Sequence, residues 1–228
     1  MDAKSTAVIV GWFLVTVLQR CMCGRKYYYR VENLDNREVT EVPFQTYTST
    51  SDVGHCARLC RQQDCVYLRH DGDVCSLYDV LIYVGLSPAP SAIYYRTCPT
   101  RLGFVFAEST NLCFKLRTET KTWDESQNTC AGDGGRLVVL DTDDKYNYVK
   151  NYIINVSATG TSTVWVGMKK STTIGPFRWL TGSTYTTKWD AGEPDYVSFQ
   201  NCVYLYRNDL SDTECLDQRR SVCEIILQ

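Results

Sequence analysis

The sequence predicts an α+β protein that is made of two small units and is stabilised by disulfide bonds. The chain has 228 residues, twelve cysteines and only two histidines that could join them in a metal site. Zinc sites need close Cys or His pairs facing other close pairs, and this spacing is not found here. The cysteines therefore indicate disulfides formed in an oxidising compartment. Ten of them fall into two groups: Cys56, Cys60, Cys65 and Cys75, and then Cys98, Cys113, Cys130, Cys202, Cys215 and Cys223.

Residues 1–23 are predicted to be a signal peptide. Lys4 precedes an apolar run, residues 7–18, which has the length of a signal-peptide core. A membrane span needs roughly 20 apolar residues, so the alternative, a type II signal anchor, fits the run less well. Cys21 and Cys23 can supply the small residues of a cleavage site, and cleavage after Cys23 leaves ten cysteines that can all pair. The mature protein is expected to be secreted and extracellular, without a membrane span.

Residues 24–97 are predicted to form the first α+β unit. Ser51 or Asp52 can cap a short helix that places Cys56 and Cys60 on one face, four residues apart. Aromatic, β-branched and alternating apolar residues predict strands at residues 27–32, 65–69 and 74–78.

This arrangement of cysteines resembles a PAN/apple domain over about residues 25–97. In that family, disulfides clamp one helix to a small twisted sheet. The resemblance implies the pairs Cys56–Cys75 and Cys60–Cys65. Another small disulfide-bonded fold is the alternative for this half of the chain.

Residues 98–228 are predicted to form the second α+β unit, which begins with a well-marked helix. Thr122 and Glu125 have the spacing of a capping box, in which each side chain hydrogen-bonds the other residue's backbone N–H. The glycine-rich residues 132–135 then end the helix, because glycine accepts the left-handed conformation that a helix end requires.

A second helix and several strands follow in the same unit. The helix starts near Asp141 or Thr142, with Tyr146, Val149 and Ile153 on one face. Strands are predicted at residues 136–140, 164–167, 202–206 and 221–224. Between the second and third of these lie 34 residues rich in Thr, Gly and aromatic side chains, which is too long for an ordinary connection. This stretch is therefore predicted to be a functional loop region.

These elements, in this order, resemble the long form of a C-type lectin-like domain, with two helices, small antiparallel sheets and a long loop region. The residues that match the family pattern in register are Trp123, Cys130, Leu137, Trp165, Val166, Gly167, Trp189, Glu193, Pro194, Asp195, Cys202, Cys215, Cys223 and Glu224. The resemblance implies three disulfides: Cys98–Cys113, Cys130–Cys223 and Cys202–Cys215.

The same resemblance implies a calcium site at Glu193-Pro194-Asp195. Sugar-binding members carry Glu-Pro-Asn or Gln-Pro-Asp at this place, with the proline in cis, and their calcium ion coordinates two vicinal sugar hydroxyls. Carried over by position, the calcium ligands are Glu193, Asp195, Gln200, Ser211 and Asp212. The residues that would also bind the carbohydrate are Glu193, Asp195, Gln200 and Ser211.

This chain departs from the family pattern at three points. Its tripeptide is a hybrid, Gln200 stands where sugar binders usually have Glu, and Ser211 stands where they have Asn. Three carboxylates remain, as in the usual mannose-type shell, which favours calcium. Glu193 and Asp195 are both acceptors when ionised, however, so the preferred sugar does not follow from the tripeptide.

The sequence thus predicts a carbohydrate-recognition protein that binds glycans or glycoproteins through calcium, with a role in pattern recognition. The alternative is a calcium-independent protein–protein interaction module with a non-functional sugar site. An enzyme is not expected, because no catalytic motif surrounds either histidine, and Glu193 and Asp195 flank a single proline. Acidic and basic residues are interspersed at a net charge of −2, which does not suit nucleic acid. Asn155 begins a glycosylation sequon, and the oligomeric state is left open.

Overall fold

The computed structural model describes residues 21–23, 26–30, 35, 39, 41–79, 93–156, 163–170, 175–184, 188–195, 197–206 and 209–227. Residues 1–20 of the expected signal peptide lie outside this description, as does Ser157 of the sequon. No helix within the described ranges combines the length and apolar character that crossing a membrane requires.

The first unit is one helix on an antiparallel sheet. Its strands are β1 (Cys21–Cys23), β2 (Lys26–Arg30), β3 (Gln45–Tyr47), β4 (Tyr67–Asp71), β5 (Val74–Tyr78) and β6 (Ile93–Arg96), and its helix is α1 (Val53–Gln63). The strands lie in the order β1-β2-β6-β4-β5-β3, so β1 and β3 are the edges.

Helix α1 begins and ends where local chemistry directs it. The Asp52 carboxylate accepts the His55 N–H at 2.8 Å, which satisfies one of the free donors of the first turn. The helix ends at Gln63, and the capping residue that follows, Asp64, has a left-handed φ of 53°. Cys56 and Cys60 lie on the buried face and form disulfides with Cys75 and Cys65 respectively. These are the two pairs that the resemblance implies.

The second unit has two helices and one large sheet. The helices are α2 (Trp123–Gly132) and α3 (Asp143–Val156). The strands are β7 (Val105–Ala107), β8 (Leu112–Lys121), β9 (Arg136–Leu137), β10 (Thr163–Lys170), β11 (Phe177–Trp179), β12 (Gln200–Tyr206), β13 (Asp209–Glu214) and β14 (Arg219–Ile225). The main order is β13-β12-β10-β14-β8-β7, with β11 paired to β10 and β9 to β14. The α+β class is confirmed, but the pair β10–β14 is parallel, unlike the expected antiparallel arrangement.

Helix α2 is fixed to the sheet through its first residue. The predicted capping box is present, with the Glu125 N–H donating to the Thr122 hydroxyl and the Glu125 carboxylate accepting the Thr122 N–H at 3.0 Å. Trp123 is buried, and its indole N–H donates to the Val166 carbonyl at 2.9 Å. Because Val166 lies on β10, the hydrogen bond joins the start of α2 to the centre of the sheet.

The core of the second unit lies between α3 and the sheet. Tyr146, Val149 and Ile153 form the buried face of α3, as the apolar periodicity predicts. Phe114 of β8 meets Tyr152 edge-on, with ring centroids 5.0 Å apart. Three disulfides connect the rest: Cys98–Cys113, Cys130–Cys223 and Cys202–Cys215. Strand β13 remains as an edge of the sheet, and the long loop reaches this edge.

Candidate functional site

The long loop is attached to the sheet by a short parallel clip on the edge strand β13. The Leu210 N–H donates to the Lys188 carbonyl at 2.7 Å, and the Asp190 N–H donates to the Leu210 carbonyl at 2.9 Å. Between them, Trp189 packs its ring against Phe177, with centroids 5.2 Å apart. Since the two segments run in the same direction, residues that follow on each are brought together.

A tight turn directs the loop after the clip. The Glu193 N–H donates to the Asp190 carbonyl at 2.9 Å, and the Asp190 carboxylate accepts the Ala191 N–H at 2.7 Å. The third residue of the turn is Gly192, with φ of 90°. A type II turn requires positive φ at this position, which favours glycine. The turn therefore sets the backbone from which the Glu193 side chain projects.

The residues after Glu193 complete the loop and return it to the sheet. The Glu193–Pro194 peptide bond is cis. One carboxylate oxygen of Asp195 accepts the Val197 N–H at 3.0 Å. The Val197 carbonyl in turn accepts the Gln200 N–H at 3.0 Å, and β12 begins there. Asp195 is thus held by its own loop through one carboxylate oxygen.

The carboxylates of Glu193, Asp195 and Asp212 form one cluster. One ligand oxygen from each lies within 4.8 Å of the others. Asp195 is exposed, Glu193 is half-buried, and Asp212 on β13 is only 4% exposed. The cluster therefore extends from the exposed Asp195 at the surface to the buried Asp212 at its base.

The electrostatics of this cluster are unbalanced. Both carboxylate oxygens of Asp212 and one of Glu193 are buried without a hydrogen-bond partner among the described residues. Burial, and then the neighbouring Asp212 carboxylate, raises the pKa of Glu193 from its ordinary value of 4.5 to about 7. Buried charges are normally paired or coordinate metals, and oxygen donors of this kind suit calcium, which takes six to eight of them. The three carboxylates therefore fit a calcium ion.

The remaining two predicted ligands lie on strands β12 and β13. Gln200 is the first residue of β12 and faces Glu214 in the ladder, and Ser211 is buried on β13 next to Asp212. The structure therefore brings together the three acidic members of the predicted set, and the role of the two neutral ones stays a prediction. Asn155 is exposed in the last turn of α3.

Sequence reasoning did not find the clip or the contact between Asp195 and Val197. The only signal for the clip was the match at Trp189. An Ala-Gly pair directly before Glu193 could have indicated the turn, because glycine is the usual third residue of a type II turn. Asp195 itself could have indicated the contact with Val197, because Asp side chains in turns commonly accept the backbone N–H two residues on.

Comparisons with known proteins concern the second unit. Residues 119–225 match the family model described as the lectin C-type domain. Human C-type lectin domain family 4 member D is 25% identical over 120 residues, which is 50% of this chain and 54% of that protein. Hemolymph lipopolysaccharide-binding protein of Periplaneta americana is 29% identical over 125 residues, 50% and 49% of the two chains. The chain spans about half the length of the curated relatives it matches. Among solved structures, human lithostathine is 25% identical with a TM-score of 0.48, covering 54% of this chain and 96% of that one.

Proposed function

We propose that this is a secreted carbohydrate-recognition protein that binds glycans through calcium at the Glu193-Pro194-Asp195 loop, since residues 119–225 match the lectin C-type domain model. The observation that carries the proposal is the buried Asp212 carboxylate, which has no hydrogen-bond partner among the residues that the structure describes and faces two further carboxylates. A site of this kind needs a cation to compensate its charge. A lipopolysaccharide-binding protein among the relatives supports a glycan as the ligand.

The division of roles follows from burial and position. Asp212, at the base, and Glu193 hold the ion, and Asp195 completes the acidic set from the exposed side; Gln200 and Ser211 are the proposed neutral ligands. Calcium, when bound, offers coordination positions for two vicinal sugar hydroxyls. Glu193 and Asp195 lie closest to solvent among the acidic residues, so their carboxylates lie on the sugar-facing side of the site.

The test is a calcium titration by calorimetry, followed by a glycan array with calcium and with EDTA. We expect heat on calcium addition and glycan signals that EDTA abolishes. Glu193→Ala should abolish both while leaving the unfolding transition cooperative. Glu119→Gln, which alters an exposed carboxylate on β8, is the matched control and should change neither. Glycan binding that persists in EDTA, or the absence of any glycan signal, would refute the proposal.

A calcium-independent protein-interaction role is the second candidate. It is favoured by two exposed apolar side chains, Phe199 at 57% and Leu216 at 77% exposure. They flank the disulfide Cys202–Cys215 at one end of the β12–β13 pair. A silent calcium titration, together with partner binding lost in a Phe199→Ser, Leu216→Ser double variant, would favour this role over the first.

The first unit and the leader enter the same proposal. We take residues 24–97 to be a PAN/apple-like domain that adds a binding surface, and residues 1–23 to be removed on secretion. Strand β1 is at the edge of its sheet, so cleavage after Cys23 would leave the ladder β2-β6-β4-β5-β3 intact. N-terminal sequencing of the protein from culture medium, and a mobility shift with peptide N-glycosidase for Asn155, test these points.

A further inference from the structure

The sugar-facing side of the proposed calcium site has an excess of hydrogen-bond acceptors. Glu193 and Asp195 stand on the two sides of one proline, and an ionised carboxylate only accepts. One Asp195 oxygen already accepts the Val197 N–H, which holds the carboxylate in place. A sugar hydroxyl that coordinates the ion has one proton, so it can satisfy one of the two carboxylates and not both.

The site also has an excess of negative charge. Three ionised carboxylates around an ion of charge +2 would leave a net charge of −1 at the site. Asp190, three residues before Glu193, carries another carboxylate, which accepts the backbone N–H of Ala191. The half-buried site therefore favours a ligand with a positively charged group that can donate several hydrogen bonds.

We propose, building on the proposed function, that the preferred ligand is an amino sugar with a free, protonated amine beside the calcium-coordinating hydroxyl pair. The coordinated hydroxyl donates its proton to one carboxylate, and the adjacent ammonium, with three protons, donates to the other. Hydrogen bonds between charged partners are roughly twice as strong as neutral ones. Glucosamine residues without an N-acetyl group are the simplest sugars with this arrangement, because their amine on carbon 2 is next to the 3- and 4-hydroxyl pair.

Three methyl glycosides test the proposal, because they share the 3- and 4-hydroxyls and differ only at carbon 2: glucoside, N-acetylglucosaminide and glucosaminide. Each is titrated into the full protein at saturating calcium and at a pH where the amine is protonated. We expect the glucosaminide to bind at least about tenfold more tightly than the other two. Equal binding of all three would overturn the inference. So would methylamine that competes as well as the glucosaminide, since charge alone would then explain binding.

The variant Asp195→Asn tests one of the two carboxylates independently of the other, because it replaces an acceptor by a group that can donate. The variant should lose the preference for the glucosaminide while retaining the glucoside. Its calcium affinity is measured directly by calorimetry, so that weakened metal binding is distinguished from altered sugar choice. Glu119→Gln, with the same change of side-chain charge far along the chain on β8, should keep the preference. A preference that survives Asp195→Asn would refute the assigned role of this carboxylate.

The two levels of the proposal fail in different ways. If calcium binds and the three glycosides bind equally, glycan recognition stands and the amino-sugar preference falls. If calcium titration is silent and none of the glycosides binds, the proposed function itself falls.

Discussion

Replacing Asp212 by asparagine should stabilise the calcium-free domain, although it removes a ligand. Asp212 is 4% exposed and its carboxylate lies with those of Glu193 and Asp195, with ligand oxygens within 4.8 Å. Two unit charges at this distance repel by about 3.5 kcal/mol at an effective dielectric constant of about 20. The Glu193 pKa of about 7 means that this residue is about half protonated at neutral pH. The repulsion relieved there is therefore about 1–2 kcal/mol for this pair.

Thermal unfolding in EDTA and in saturating calcium measures the effect. In EDTA, Asp212→Asn should unfold several degrees above wild type, since about 1 kcal/mol shifts the midpoint by roughly 2–4 °C at this size. In calcium at about 100 times the dissociation constant, wild type should gain about 2.7 kcal/mol, and the variant should gain much less. Glu119→Gln controls for net charge. A variant that is no more stable than wild type in EDTA, or that gains equally from calcium, would refute the reasoning.

Four other outcomes are expected. Because the pKa of Glu193 is raised to about 7 in the native state, that state holds a proton that the unfolded chain releases above about pH 4.5. Stability in EDTA, followed by the unfolding midpoint, should therefore fall as the pH rises from about 4.5 to about 7 and then level off, while calcium binding strengthens over the same range. The double variant Asp195→Asn, Gln200→Glu restores an acceptor–donor pair beside Pro194 and keeps the number of carboxylates at three. A glycan array at saturating calcium should therefore show mannose-type binding up to about tenfold stronger than wild type. No gain while calcium still binds would contradict this. A Cβ added at Gly192 has no atom within 4 Å, so the cost of Gly192→Ala, about 1–2 kcal/mol, comes from the positive φ alone. Calorimetry should show weaker calcium binding in this variant, and Gly192→Asn should largely restore it. Asn155→Gln should abolish the mobility shift with peptide N-glycosidase and leave calcium binding unchanged.

The parts of the fold that follow from local chemistry were predictable. Thr122 and Glu125 specify the start of α2 because both partners of the capping box lie within one turn. Tyr146, Val149 and Ile153 specify the buried face of α3 because their spacing matches the helical period. The three acidic residues of the site could be chosen because the tripeptide and the spacing to Cys215 carry the family pattern, and they do lie together.

The parts that depend on distant segments were not predictable. The clip between Lys188–Asp190 and Leu210 consists of backbone hydrogen bonds, and backbone groups are the same for every sequence. The parallel pairing of β10 with β14 depends on where the chain returns after β13, and no residue pattern encodes that return. β8, a ten-residue strand, was not anticipated because its second half is exposed and polar, without an apolar alternation.

The clip has a consequence for the solubility of the protein. An edge strand of a sheet presents unpaired N–H and C=O groups. A second chain can add a strand to these groups, and this is a common route to aggregation. At Leu210 both backbone groups are already engaged by the loop, on the side where β12 is not. The loop that would recognise sugar therefore also blocks the open end of the sheet, and lectin-site variants that loosen it should be screened for insolubility as well as for lost binding.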